Sequence, residues 1–532
     1  MFILLSILMM LGALLGAWGE RAALELPTVR FPFRLSREIE WLHHVGADGE
    51  VLPWFGWLFT GLVFLLGLTL FFKASFGRNV SPLTERRIAR FKSIRRGYYS
   101  LWIIIALAGL AALDHVLVGK EALAVKYEGE WTFPAFTRAL EKGSDYGLEG
   151  DAALSAPDYR QLKRQFREAD AGNRVILPLH PYAPTNDRVA AVALPLKEED
   201  GRLQRGGENY NGLAARVFDL HQPEHRFLQY RYREGLRDGP ADGWDRAGKR
   251  VYQANFEAGQ LVPGSEKWTG EGELADFLGQ EASELVIVDF SPSGISFKEG
   301  NFHPLGTTSQ GYDVLAYLYG GLQVNFKAVL FYIPLVYAAG ITIGLLMGYF
   351  GSWFDLVVQR LIEVLEQMPF LFIVMIASTA VPERLKEKAG LWLIVIILAA
   401  FGWMSMTYLM RTAALKEKAR DYIAASRVIG ASTPRILFRH LLPNSVAIIV
   451  TLVPFSVSGL ISALTSLDYL GFGLPAKYAT WGQLLQDGLS NTSSPWLVTS
   501  AFACLVGLLV LVTFVGEAVR EAFDPKKFSY YQ

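Results

Sequence analysis

Asp421-Tyr-Ile-Ala-Ala-Ser-Arg-Val-Ile-Gly-Ala-Ser-Thr-Pro-Arg-Ile-Leu-Phe-Arg-His-Leu-Leu-Pro-Asn444 reads as two short helices joined by a tight turn. Asp421 to Ile429 forms one amphipathic helix, in which the small residues Ala424, Ala425 and Ser426 allow a partner to approach closely. Gly430 ends it, because a helix commonly closes on a residue with left-handed backbone and glycine pays no Cβ penalty there. Thr433 and Pro434 supply an N-cap and a first-turn proline for a second helix running to about Leu442. The expected product is a helix-turn-helix knob. Its apolar side, comprising Tyr422, Ile423, Val428, Ile436 and Phe438, suits insertion into a groove on a soluble partner. A pair of interfacial helices lying on anionic lipid would show the same periodicity.

The knob sits in a basic loop, 411–440, carrying Arg411, Lys416, Lys418, Arg420, Arg427, Arg435 and Arg439 against Glu417 and Asp421. A second basic segment, 73–96, holds Lys73, Arg78, Arg86, Arg87, Arg90, Lys92, Arg95 and Arg96 against Glu85. Cationic loops are retained on the cytoplasmic side of a membrane, so both segments are expected there. Around them lie apolar runs near 2–18, 53–72, 101–118, 326–350, 359–381, 391–410, 446–466 and 497–516, each near the roughly 20 residues that cross a bilayer. One span leads from 73–96 out to a long polar stretch, 119–325, and three return the chain to 411–440. The two basic segments therefore agree in parity. The first run lacks a basic n-region and a clear cleavage site, which favours a retained span over a removed signal.

The whole-chain numbers conceal this pattern. Among 532 residues, 51% are hydrophobic, 13% aromatic and 19% charged. Lys+Arg and Asp+Glu are both 51, for a formal net charge of +0, and the mean hydropathy is +0.24. The balance argues against a nucleic-acid partner. Cys504 is the only cysteine, which excludes an intrachain disulfide scaffold and a zinc ribbon. The expected fold is a polytopic α-helical membrane protein of about eight transmembrane helices, with an inserted α+β or mainly β external domain.

The spacing of Ala424-Ala425-Ser426, Gly430 and His440-Leu-Leu-Pro443 resembles the EAA loop of bacterial ABC-importer permeases. Ala424 stands in place of the acid that names the motif, and Ser426 in place of its last alanine. Further motifs follow in order. His303-Pro304-Leu305-Gly306-Thr307 with Gly311 and Asp313 looks like a periplasmic signature of the oligopeptide/dipeptide C-type permeases. Gly348-Tyr-Phe-Gly-Ser-Trp-Phe-Asp355, Leu467-Asp468-Tyr-Leu-Gly471-Phe-Gly473-Leu-Pro475, Trp481-Gly482, Pro495-Trp496 and Gly516-Glu-Ala-Val-Arg-Glu-Ala-Phe-Asp524-Pro525 match the same subfamily. Ala89-Arg-Phe, Arg95-Arg-Gly-Tyr98, Tyr127-Glu-Gly-Glu-Trp-Thr-Phe-Pro134 and Asp468 are similar to the YejE type, which carries peptides and microcin C. The resemblance covers about 86–190 and 300–528.

That resemblance implies a type I importer permease core in a bacterial inner membrane, multi-pass, with both termini cytoplasmic. In it Tyr422, Ala424, Ala425, Ser426, Gly430, Ala431, Arg439, Leu442 and Pro443 form the loop that docks on ATPase subunits. It further implies a second, B-type permease subunit, two cytoplasmic ATPases, a periplasmic substrate-binding protein and a peptide substrate. ATP and Mg would be used by the partner subunits, and this chain would bind no cofactor or metal and have no catalytic residue. The expected organisation is an extra pair of spans over 1–80, a basic segment and first core helix over 81–118, a periplasmic domain over 119–300 with an insertion near 190–298, the motif segment 301–325, a permease core over 326–516 containing the coupling loop 411–443, and a cytoplasmic tail, 517–532. Thr308, Tyr312, Tyr317 and Gln323 replace charges usual in the family, which removes the basis for expecting those positions to contact a binding protein.

Several patterns look chemical and are better read as structural. Gly243-Trp-Asp-Arg-Ala-Gly-Lys-Arg250 has P-loop spacing but ends in arginine where Mg²⁺ binding needs Ser or Thr. His43-His44 lacks a third ligand at helical spacing. Arg226-Phe-Leu-Gln-Tyr-Arg-Tyr-Arg233 alternates as a half-buried strand does. Glu363 and Glu366, one turn apart, are expected at the cytoplasmic end of a span, and Pro369, Pro454 and Gly340, Gly344 and Gly348 fit packed or kinked helices. The rival reading is a membrane-anchored periplasmic enzyme or sensor working through 119–325. That stretch shows no nucleophile–base pair, and a sensor would need an output domain.

Overall fold

The computed structural model describes residues 2–22, 24, 31–38, 44–45, 51–75, 82–137, 141–148, 153, 156–169, 172–187, 193–195, 197–199, 202–205, 208–210, 212–217, 226–245, 250–270, 274, 286–288, 294–298 and 301–524. The chain divides into two compact units, one made of 1–187, 298–300 and 314–532, the other of 188–297 and 301–313.

The first unit is mainly helical. Its helices are α1 (Phe2–Arg21), α2 (Phe31–Glu38), α3 (Trp54–Ser75), α4 (Pro82–Ser93), α5 (Arg95–Ala112), α6 (Tyr159–Ala169), α7 (Val314–Phe350), α8 (Ser352–Glu366), α9 (Phe370–Thr379), α10 (Glu383–Ala389), α11 (Leu391–Gly402), α12 (Met404–Lys418), α13 (Asp421–Val428), α14 (Thr433–Arg435), α15 (Leu442–Tyr469), α16 (Trp481–Ser490) and α17 (Pro495–Phe523). Among the described residues, four helical stretches are long and apolar enough to cross a membrane: Val314–Phe350, Leu391–Lys418, Thr433–Tyr469 and Pro495–Phe523. The expected runs at 2–18, 53–72 and 101–118 fall on α1, α3 and α5, which are not among these four stretches. Of these, α5 opens with Arg95 and Arg96, which shortens its apolar length.

The expected span 359–381 is not one straight helix. It is the pair α8 and α9, bent by 84°. Pro369 sits at the break rather than inside a helix, holding the extended backbone (φ −58°, ψ 122°) that precedes α9. Its missing N–H and the restriction it places on Met368 explain the break. α7 begins at Val314, well before the expected 326, and α17 runs on to Phe523 into the expected tail.

Glycines set the closest helix contact. A Cβ on Gly340 would lie 2.9 Å from Trp403 O, one on Gly344 2.5 Å from Thr407 O, and one on Gly348 2.7 Å from Arg411 O. Only glycine lets α7 and α12 run side by side at this distance. Gly67 does the same for α3 against Ser6 and Met10 of α1. Residues Leu345, Val374, Ile394, Leu398, Met410, Leu464 and Leu467 fill the core between these helices.

Besides the short pair β1 (His44–Val45) and β2 (Val51–Leu52), strands β3 (Ala124–Tyr127), β4 (Glu130–Thr132) and β5 (Arg174–Ile176) of the first unit make a small sheet in the order β4-β3-β5. α6 closes one side of it through Leu162 and Phe166. Arg160 reaches from α6 to Asp187 with two bonds of 2.8 and 3.0 Å.

The second unit is a sheet domain. Its strands include β6 (Ala193–Pro195), β7 (Lys197–Glu199), β8 (Arg202–Arg205), β9 (Glu208–Asn209), β10 (Gly212–Val217), β11 (Arg226–Arg233), β12 (Leu236–Trp244), β13 (Arg250–Glu257), β14 (Gln260–Leu261), β15 (Lys267–Trp268) and β16 (Val286–Val288). An eight-stranded antiparallel sheet runs β14-β13-β12-β11-β10-β16-β6, with β15 also paired to β13. Tyr210, Phe227, Leu228, Tyr230, Tyr232 and Tyr252 form its core. Residues 226–233 are indeed a strand, β11 (Arg226–Arg233). Trp244 at the end of β12 (Leu236–Trp244) pairs with Arg250 at the start of β13 (Arg250–Glu257), so the P-loop-like spacing joins two antiparallel strands. A phosphate loop would need a strand leading into a helix. Residues 246–249 and His43 lie outside the described residues.

Candidate functional site

The 421–444 stretch is built as expected in its first half. α13 ends at Val428 with Ile429 as its C-cap, and Gly430 follows with φ +83°. Gly430 N–H donates to Arg427 O at 2.9 Å, and Ala431 N–H to Ser426 O at 3.0 Å. This is the paired 5→2 and 6→1 closure of a Schellman turn, which satisfies carbonyls that a helix end otherwise leaves open.

The second half differs from expectation. Ser432, not Thr433, holds the N-cap position, with extended backbone and no side-chain cap bond; Thr433 and Pro434 are already in the first turn. Nor does the helix stop near Leu442. It passes through a π-helical segment, Ile436–Leu441, directly into α15. Pro443 supplies the reason, since a proline inside a helix removes its own N–H and crowds the carbonyl four residues back, that of Arg439. The hydrogen bonds there reach one residue further, as Leu442 N–H donates to Leu437 O. The loop is thus rigidly continuous with a membrane-length helix.

Burial divides the apolar side expected for the knob. Ile423 and Ile436 are buried in the main core, together with Leu437 and Leu441. They anchor the loop rather than face a partner. The exposed apolar residues are Val428 at 88%, Ile429 at 85% and Phe438 at 51%. Tyr422 is half-buried: its hydroxyl donates to Glu417 Oε2 at 2.7 Å and accepts from Asn444 Nδ2 at 2.8 Å. Burial, then the Glu417 carboxylate, push the Tyr422 phenol above its ordinary range. Ser426 Oγ donates to Tyr422 O at 2.7 Å. Ala424, Ala425, Arg439 and Pro443 are exposed, and Ala431 and Leu442 partly so.

Cations tie the loop to the neighbouring helices. Arg427 lies over the Tyr349 ring at 4.9 Å and Lys418 over the same ring at 5.9 Å. Arg411 grips Asp355 with two bonds of 2.5 and 2.7 Å, joining α12 to α8. Residue spacing alone did not single out Glu417, Asn444 or Tyr349 as supports. The one signal was Glu417 itself, an acid in a basic loop.

A second cluster stands at the opposite end of these helices. Asp468 is buried and accepts from Leu474 N–H at 2.7 Å. Gly471 (φ +80°) ends α15 with another paired closure, Gly471 N–H to Asp468 O and Phe472 N–H to Leu467 O. A Cβ on Gly473 would collide with Asp468 Oδ1, and one on Gly482 with Thr465 O. Trp481 is buried and donates to Leu318 O at 2.9 Å. Tyr317 donates to Gln483 Oε1 at 2.8 Å, while Gln323 donates to Asp114 Oδ1 at 2.9 Å. These two family-divergent positions serve contacts within the chain. Asp524 follows α17, and Pro525 lies outside the described residues.

In the second unit, the 303–313 motif forms its own knot. His303 and Asp313 are fully buried, with Nδ1 2.7 Å from Oδ2. Thr307 and Asp313 bridge, and Thr308 N–H donates to Tyr312 O at 2.8 Å. Gly306 and Gly311 both take positive φ, while Pro304 and Leu305 are half-buried. In the first unit, Arg360 donates to Glu363 Oε2 at 2.6 Å. Among the described residues no three His, Cys, Asp or Glu side chains gather as a metal site would require.

Comparison with known proteins adds a separate line. The family model described as "Binding-protein-dependent transport system inner membrane component" matches residues 340–529. The chain is 39% identical over 453 residues to the peptidoglycan transport system permease protein YejE of Agrobacterium fabrum, covering 84% of this chain and 94% of that one. It is 30% identical to the inner membrane ABC transporter permease protein YejE of Escherichia coli, covering 84% and 98%. The oligopeptide transport system permease protein OppC of Mycobacterium bovis is 33% identical over 227 residues, 42% of this chain and 77% of that one. Among solved structures, an inward-facing MetNI methionine ABC transporter chain aligns with a TM-score of 0.34 at 17% identity, over 39% of this chain and 96% of that chain.

Proposed function

This chain belongs to the inner-membrane permease family of binding-protein-dependent transport systems, and from that premise we propose that it is the permease subunit of an ATP-driven peptide importer, with the 421–443 loop as its contact to the ATPase. The observation that carries the coupling assignment is the pair Val428 and Ile429, exposed at the tip of a helix whose other face is locked into the core through Ile423. Two adjacent apolar side chains left in water on a rigid mount suit a groove on a soluble partner.

The mounting also suits a transmitter. α13 follows α12 after only Ala419 and Arg420, and the turn leads without a break into α15. A push on Val428 and Ile429 is therefore delivered to two long helices at once. Alternating access then follows as a switch between two packings, biased by partners that bind one state better than the other. ATP hydrolysis belongs to two cytoplasmic ATPase subunits in this reading, and a B-type permease supplies the other half of the pathway. A periplasmic binding protein delivers the peptide.

In this reading both termini lie in the cytoplasm. Leu24, just past α1, bridges Thr137 of the 119–187 segment, which supports placing the end of α1 on the external side. Arg90 and Arg96 pair with Glu521 and Glu517 at 3.5 and 3.2 Å, which supports putting the basic 82–96 segment and the end of α17 together on the other side. Isolation of the tagged chain from native membranes tests the assignment. The ATPases should co-purify with the wild type and be lost with Ile429→Asp, and retention by the variant would overturn the docking assignment.

A further inference from the structure

Within the first unit, the small sheet β4-β3-β5 presents an apolar side with a built-in gradient. Val125 lies opposite Thr132 and Val175, and that side is closed by Tyr146, Tyr159, Leu162 and Phe166. Side chains alternate across a strand, so the other side carries two successive rows. One row is Phe133, which continues β4 by one residue, with Ala124 and Ile176; the next is Trp131, Lys126 and Arg174. Phe133, Ile176 and Trp131 are each about half exposed, and Leu179, just beyond β5, is 85% exposed.

The rows have a direction set by hydrogen bonds. His180 N–H donates to Leu117 O at 2.9 Å and Gly119 N–H to His180 O at 3.2 Å, so Leu179 stands where the chain leaves the 101–118 span. Leu123 N–H donates to Ile176 O at 2.8 Å and Ala135 N–H to Ala122 O at 3.0 Å, which puts the Phe133–Ile176 row next to that exit. β3 then climbs away, carrying the Trp131–Lys126–Arg174 row one step further from it. Leu24, at the end of α1, meets the same region through Thr137.

We infer that this side of the sheet rests on the outer leaflet of the bilayer, with Leu179, Phe133 and Ile176 among the acyl chains and Trp131, Lys126 and Arg174 at the headgroups of anionic phospholipid. Aliphatic and aromatic residues nearest the hydrocarbon, followed by tryptophan and cations, is the order the membrane interface selects. The two cations add attraction to anionic headgroups. The inference rests on reading α1 and α5 as spans, and it is independent of cargo and of coupling.

Spin labels on the full-length chain in lipid nanodiscs test it. Cys504→Ala removes the only native thiol, and single labels are then placed through Leu179→Cys, Leu330→Cys on the exposed side of α7, and Arg164→Cys on the exposed side of α6. With phosphatidylglycerol present, the label at position 179 should respond to oxygen, as that at 330 does, while the label at 164 responds to a water-soluble nickel chelate. Exchanging phosphatidylglycerol for phosphatidylcholine should shift position 179 toward nickel, and Lys126→Glu with Arg174→Glu should remove that lipid dependence. A nickel response at 179 alongside an oxygen response at 330 would overturn the inference. So would shielding of 179 from both reagents only when partner subunits are added, since a protein would then cover the sheet. A nickel response at 330 would instead overturn the reading of the spans.

Discussion

Gly430 is the residue on which the coupling loop turns. A Cβ there would meet no neighbour, so the glycine is required by its φ of +83° and not by space. Gly430→Val should therefore cost about 1–3 kcal/mol of local backbone strain, lowering ATP-coupled uptake while the protein still inserts. Gly430→Asn, which tolerates the left-handed region, should recover most of the activity. Uptake and ATP hydrolysis measured side by side check this, and equal impairment by both variants would contradict it. Ile423 and Ile429 make a sharper pair. Ile423→Ala removes a fully buried side chain and should destabilise by about 2–5 kcal/mol. Ile429→Asp should change stability by no more than about 0.5 kcal/mol yet strongly weaken ATPase docking. Thermal unfolding in detergent separates the two. The residue types told that this helix is amphipathic, but not which apolar residues point inward. A helix of two turns beside a membrane-embedded core can seat isoleucine on either side, and only packing against Leu437 and Leu441 decides.

At the scale of elements, glycine spacing was legible as close helix packing, and the structure names the partner as α12. Gly344→Leu would drive a side chain into a Cβ position already 2.5 Å from Thr407 O, so the variant should fail to give a monodisperse protein in detergent. Ordinary yield and thermal stability for Gly344→Leu would show that α7 and α12 do not pack this closely. The bend between α8 and α9 was not legible in the same way. Pro369 was visible, yet hydropathy stays high on both sides of it, and an apolar run carries no information about its own straightness. The π segment was also hidden, although its cause, Pro443, was in view; a proline near a turn reads more simply as the start of a new helix.

For the whole molecule, the balance of 51 basic and 51 acidic residues says little, whereas their distribution places the ends of helices. The four long apolar helices from Val314 onward and the sheet-rich insertion were legible from hydropathy and alternation. The grouping of the 303–313 motif with the second unit was not, because its buried His303–Asp313 pair depends on tertiary packing. Removing 190–298 should leave assembly with the ATPases intact, since the coupling loop and its supports all lie in the first unit; loss of co-purification would contradict that. The most direct test is peptide uptake into proteoliposomes holding this chain with a B-type permease, both ATPases and the binding protein. Labelled peptide should accumulate only with ATP, and Ile429→Asp should lower ATPase docking by about thirtyfold, as loss of a central contact worth ~2 kcal/mol does, and uptake with it. Wild-type uptake by the Ile429→Asp variant, or no ATP-dependent accumulation by the wild type, would contradict the account.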